Sequence, residues 1–158
     1  PVTGLEEGRP MFLRRPDSHL GLANFMRSHL YASLATLKIG LDILLKEEDV
    51  KIDSITGHGG LFKTKGVGQS ILAAAMNAPI SVMETAGEGG AWGMALLAAY
   101  MLFKKDGQSL GDYLDSRVFA ERKSETMEPD LADVAGFETY TKQYQACLAA
   151  EKAAVQAF

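Results

Sequence analysis

The chain has 158 residues, 47% of them hydrophobic and 23% charged, the ordinary composition of a globular domain long enough to bury a core without covalent staples. A net charge of −4, with the basic residues scattered (Arg14, Arg15, Lys104, Lys105), argues against a nucleic-acid binder, which needs a clustered surplus of Lys and Arg. One cysteine, Cys147, allows no internal disulfide and fits a reducing, cytoplasmic compartment.

Pro1 to Leu20 holds three of the five prolines together with Gly4 and Gly8, and reads as an irregular arm. Its start, Pro1-Val2-Thr3-Gly4 without an initiator Met, leads to the expectation of a piece cut from a longer protein. From Leu22 to Lys46 apolar residues recur at spacings of three and four (Leu22, Phe25, Met26, Leu30, Leu34, Leu37, Leu41, Leu44, Leu45), the pattern of an amphipathic helix. A short strand is expected over Lys51 to Thr56, stopped by Gly57-His58-Gly59-Gly60. A helix follows over Thr64 to Met76, with Thr64 as its N-cap and Asn77 and Pro79 as its stop. Ile80 to Met83 reads as a second strand, parallel and adjacent to the first, and Gly87-Glu88-Gly89-Gly90 leads into a helix from Ala91 to Lys104. Ala91 to Phe103 is the most apolar stretch, about half the length of a bilayer span, so no membrane crossing is expected and the helix should be buried. Trp92, Met83, Met94 and Met101 read as core fillers, and Cys147 as packing. The tail reads as helices over Leu110 to Ser116, Pro129 to Val134 and Glu138 to Ala157, with Tyr140, Tyr144, Leu148 and Val155 on one face of the last. Alternating helix and strand implies an α/β fold, a parallel or mixed sheet built on parallel strands with packed helices and a helical C-terminal tail.

Both glycine turns follow a strand and precede a helix, where free N–H groups and the positive end of the helix dipole favour an anionic ligand. A tight turn holding nothing is the plain alternative. Gly57 to Thr64 departs from the phosphate-binding loop pattern because Phe62 stands before Lys63 where glycine must be. Gly57-x-Gly59-x-x-Phe62 is a dinucleotide fingerprint lacking its third glycine, although Glu84 ends the next strand where a ribose contact would sit. His19, His29 and His58 are far apart and no paired Cys or His spacing is present, so no metal ligands are assigned. No nucleophile elbow appears.

Four segments resemble the C-terminal domain of the FGGY carbohydrate kinases, in particular xylulokinase-like and ribulokinase-like members. They are Leu20 to Leu34; Ile55 to Ile80, where Ser70-Ile71-Leu72-Ala73 stands for the usual Gln-Ile-Leu-Ala; Glu84 to Ala99, with Glu88-Gly89-Gly90-Ala91-Trp92-Gly93; and the tail through Val155. His58 interrupts the glycine run common in the family, and Leu61 to Lys65 lengthen the turn. The resemblance implies part of an actin-like ATPase (RNase H-like) domain, with residues 1–158 forming one incomplete C-terminal nucleotide-binding domain. It implies ATP and Mg²⁺ as cofactors, a ketopentose such as xylulose or ribulose as substrate, and an upstream N-terminal domain as partner. The expected nucleotide-binding residues are Gly57, Gly59, Gly60, Phe62, Lys63 and Thr64, faced by Gly87, Glu88, Gly89 and Gly90. The family's catalytic aspartate has no counterpart here, so no catalytic residue is assigned and the chain alone is expected to be inactive. An exposed sheet edge would let copies meet as a homodimer. Two other readings stand beside this one: a dinucleotide-binding half of an oxidoreductase, and a packing module without catalysis.

Overall fold

The computed structural model describes residues 4–52, 54–84, 86–120 and 124–157. They form two compact units. The expectations that fall on Pro1 to Thr3 lie outside the described residues.

One unit holds the sheet, over residues 54–70 and 78–128. Its strands β1 (Ile55–Gly57) and β2 (Ile80–Met83) run parallel in the register Ile55 to Ile80, Thr56 to Ser81 and Gly57 to Val82. The parallel neighbours are therefore as expected, but Lys51 and Ile52 lie outside β1, which runs on into Gly57. A third strand, β3 (Ser124–Met127), absent from the expected elements, pairs antiparallel with β2, giving the order β1-β2-β3 and a mixed sheet, one of the two kinds expected. Ser81 and Thr126 share a hydroxyl hydrogen bond of 2.8 Å across this pair.

Helix α2 (Val67–Met76) starts later than expected. A 3₁₀ turn, Gly60–Phe62, fills the interval, and Gly66 at φ +79° breaks the chain before Val67. Thr64 is thus not its N-cap; its carbonyl accepts from the Val67 N–H at 3.3 Å. Asn77, at φ +48°, ends the helix in the left-handed conformation ahead of Pro79. Helix α3 (Gly89–Phe103) is correctly located but buries no residue. Met94, Met101 and Leu102 are at least 70% exposed, against the expectation of core. Trp92 is half-buried, its ring 6.0 Å from that of Phe119. Helix α4 is short (Leu110–Tyr113), capped by the Ser109 hydroxyl accepting from the Asp112 N–H at 3.1 Å, and passes into a π-helical turn, Leu114–Val118.

The other unit comprises residues 1–53, 71–77 and 129–158. Helix α1 (Leu22–Lys46) has the predicted bounds. Helix α5 (Leu131–Ala157) is one helix where two were expected; Asp130 caps it, its carboxylate accepting from the Ala132 and Asp133 N–H groups at 2.8 and 3.1 Å. The core of the α1–α5 contact is aromatic: Tyr31 lies 4.7 Å from Phe137 and 5.2 Å from Tyr140, ring to ring. Beside it Lys38 is buried, held by Asp42 at 2.7 Å and Glu138 at 3.2 Å. Tyr31, Leu34, Ala35 and Lys38 are the buried face of α1, while Leu22, Phe25, Met26, Leu37 and Leu44 of the predicted stripe are exposed. Cys147 is exposed and does not pack as expected.

Candidate functional site

The two glycine turns come together in the sheet unit, beyond the carboxyl ends of β1 and β2. Three contacts join them. The Gly59 N–H donates to the Ala86 carbonyl at 2.7 Å, the Lys63 ammonium meets the Glu88 carboxylate at 2.8 Å, and the His58 ring lies against Gly89. The Lys63 hydrogen bond and charge hold the Glu88 carboxyl below the usual carboxylate range. Of the ten residues expected at the site, Gly57 ends β1, Gly89 and Gly90 open α3, and the other seven lie on the turns between.

The glycines divide by what a side chain would meet. A methyl group on Gly57 would collide with the Phe62 ring, one on Gly87 would press the Lys63 stem at 3.2 Å, and one on Gly89 would press the His58 ring at 3.3 Å. At Gly57 the fold has no room for a side chain, while at Gly87 and Gly89 the neighbouring side chain would have to give by a few tenths of an ångström. At Gly59, Gly60 and Gly90 nothing lies within 4 Å of the added atom, so their backbone is open to close approach by a ligand. Gly59 also has φ +105°, a conformation that suits glycine.

Beside the turns a cavity of about 520 Å³ is lined by Phe62, Thr64, Lys65, Gly66, Gln69, Val82, Met83, Glu84, Ser124 and Glu125. Of the expected site residues only Phe62 and Thr64 line it. The buried Gln69 fixes its floor: the side-chain amide donates to the Ile80 carbonyl at 2.7 Å and the Glu125 carbonyl at 2.8 Å, tying α2 to both β2 and β3. Lys65 pairs with Glu125 at 3.0 Å on its edge. Gln69 carries no motif, and Ser124 and Glu125 lie on the strand the sequence does not announce; Glu84 alone is foreshadowed, as the acidic residue closing β2. Gly68, at the start of α2, has room only for hydrogen against Leu61, which seats the 3₁₀ turn on the helix.

Open glycine backbone at the carboxyl ends of parallel strands, ahead of helix N-termini, defines a class of α/β proteins that hold anionic or nucleotide ligands. Residues 2–102 match the FGGY family of carbohydrate kinases, C-terminal domain, and the chain belongs to that family. No curated protein and no solved structure matches it significantly. It is a carbohydrate kinase domain, from a family of ATP-dependent sugar kinases that usually work with a divalent metal. The match gives the dinucleotide-oxidoreductase reading no support. Among the described residues no group of three or more His, Cys, Asp or Glu is placed to hold a metal ion. Nor is any described helix long and apolar enough to cross a membrane.

Proposed function

We propose that this chain is the nucleotide-holding part of an ATP-dependent kinase acting on a ketopentose such as xylulose or ribulose. The observation that carries the reading is the open backbone of Gly59, Gly60 and Gly90 on two joined turns, which suits the close approach of a ribose or phosphate. In this reading Gly57, Gly87 and Gly89 shape the turns, Phe62 and Thr64 border the adenosine, and Lys63 and Glu88 link the two walls. Phosphoryl transfer needs a base for the sugar hydroxyl and countercharge for the phosphates. This chain supplies position rather than either of those. The base, the sugar contacts and the ligands for Mg²⁺ belong to an upstream N-terminal domain of a longer protein, a cytoplasmic enzyme, and copies of the chain meet through exposed apolar surface.

Replacing Gly59 or Gly90 with Val in the full-length protein is expected to raise the ATP KM at least about tenfold, the loss of roughly 1.4 kcal/mol of nucleotide binding, while the sugar KM stays near the parent's. An unchanged ATP KM in both variants removes the site. A panel of ketopentoses, other sugars and polyols tests the substrate class, and a preference for a hexose or a polyol overturns the ketopentose assignment.

A further inference from the structure

The Lys63–Glu88 pair joins two turns that are 25 residues apart in sequence. Both side chains are well exposed, at 59% and 74%, so water screens the pair and it adds little to the stability of the fold. Its geometry is nonetheless specific. The Lys63 stem runs across Gly87, close enough that a methyl group there would press on it at 3.2 Å, on its way to the next residue along, Glu88. Glu88 is in turn the N-cap residue of α3, where its negative charge complements the positive end of the helix dipole. Its own side chain makes no capping hydrogen bond and is turned to Lys63 instead.

We propose that Lys63 and Glu88 are positioning residues for the nucleotide, a clasp that sets the separation of the two turns. The proposal rests on the reading of those turns as the ATP site. Lys63 is then spent on Glu88 and does not serve as a ligand of the phosphates, although a lysine on a glycine turn invites that role. The backbone hydrogen bond from Gly59 to Ala86 and the His58 ring against Gly89 also join the turns; the clasp is the charged contact between them.

The test uses the full-length protein carrying Lys63→Met, Glu88→Gln and the reciprocal pair Lys63→Glu with Glu88→Lys, each checked for unchanged thermal unfolding, with Gly59→Val as the marker of the site. A clasp predicts that each single variant raises the ATP KM about two- to fivefold, the range open to an exposed ion pair, with the sugar KM unchanged, and that the reciprocal pair returns the ATP KM to within about twofold of the parent. Rescue by charge reversal is a result that a phosphate-binding lysine cannot give. If Lys63→Met raises the ATP KM, Glu88→Gln does not and the reciprocal pair stays impaired, Lys63 binds the nucleotide directly and the clasp is overturned. If all three leave the ATP KM alone while Gly59→Val raises it, the clasp fails and the site stands. If Gly59→Val is also silent, the site reading falls and the clasp with it.

Discussion

Gly57 is buried under the ring of Phe62, and the two residues share one small volume. Adding a methyl group there forces the ring aside, so Gly57→Ala is expected to cost about 1–3 kcal/mol, the usual penalty of overpacking. The cost should largely vanish in a Phe62→Ala background, because the clash partner is gone; a double-mutant cycle followed by urea unfolding measures the coupling, and additive effects would contradict the contact. Lys38 presents the opposite case, a charge inside the aromatic α1–α5 contact. Removing it leaves Asp42 and Glu138 facing each other with one cation fewer, so Lys38→Ala should cost about 1–3 kcal/mol, below the figure for a fully buried pair because both carboxylates keep contact with water. Lys38→Met should cost less, since it keeps the stem that fills the space. Burial pushes the Asp42 carboxyl up, but hydrogen bonds from Lys38 and Lys46 outweigh it and hold the group below its ordinary value. A carboxyl depressed in the folded state binds fewer protons than in the unfolded chain, so its contribution is fully present above the ordinary carboxyl pKa of about 3.9 and fades as pH falls through the lower folded value. Asp42→Asn should therefore lower the urea midpoint at pH 6 and converge on the parent towards pH 3. A constant gap across that range would show that the charge is not responsible.

Among the elements, α3 departs furthest from what its composition suggests. An all-apolar helix usually means burial on every side, yet Met94, Leu97, Met101, Leu102 and Phe103 are exposed. A hydropathy pattern reports what a helix avoids, not what covers it. Polar replacements on this face, such as Met101→Gln with Leu102→Gln, are expected to shift unfolding free energy by less than about 0.5 kcal/mol, as for other surface sites, and to reduce self-association in sedimentation velocity. A loss comparable to a core truncation would mean that the face is packed. Other elements were legible for physical reasons. The bounds of α1 and the end of α2 follow from charge at Lys46-Glu47-Glu48 and from Asn77 with Pro79. Strand β3 was not legible: Ser124, Glu125 and Thr126 are all exposed, so no alternation of buried and exposed residues marks it, and only the backbone of β2 selects it. The periodic stripe of α1 coincides with its buried face only at Leu34, because the rest of the buried surface is made by Tyr31, Ala35 and the stem of Lys38, which a count of Leu and Phe passes over.

For the molecule as a whole, the order strand, glycine turn, helix, strand, glycine turn, helix carried the α/β class, the resemblance of the segments around it carried the family, and the two turns do meet. The division of the glycines into packing and open positions was beyond sequence reading, because it depends on Phe62, Lys63 and His58 folding back over their own turn. The 158-residue chain by itself is expected to phosphorylate no sugar, since no residue of it is assigned as the base for the sugar hydroxyl and Glu88, beside the turns, is paired with Lys63. ATP-dependent phosphorylation of xylulose or ribulose by the purified chain would overturn this.

The matched residues 2–102 include both turns, β1 and β2, whereas β3 begins at Ser124, outside them. The cavity is therefore built from two parts of the chain, one inside the family match and one outside it. Substitution at Ser124 alters its outer wall without touching a residue of either turn, Glu125 meets the first turn only through its ion pair with Lys65, and Gln69 grips β3 only through a main-chain carbonyl, which any residue provides. The outer wall of the cavity can thus be changed by substitution while the two glycine turns stay as they are.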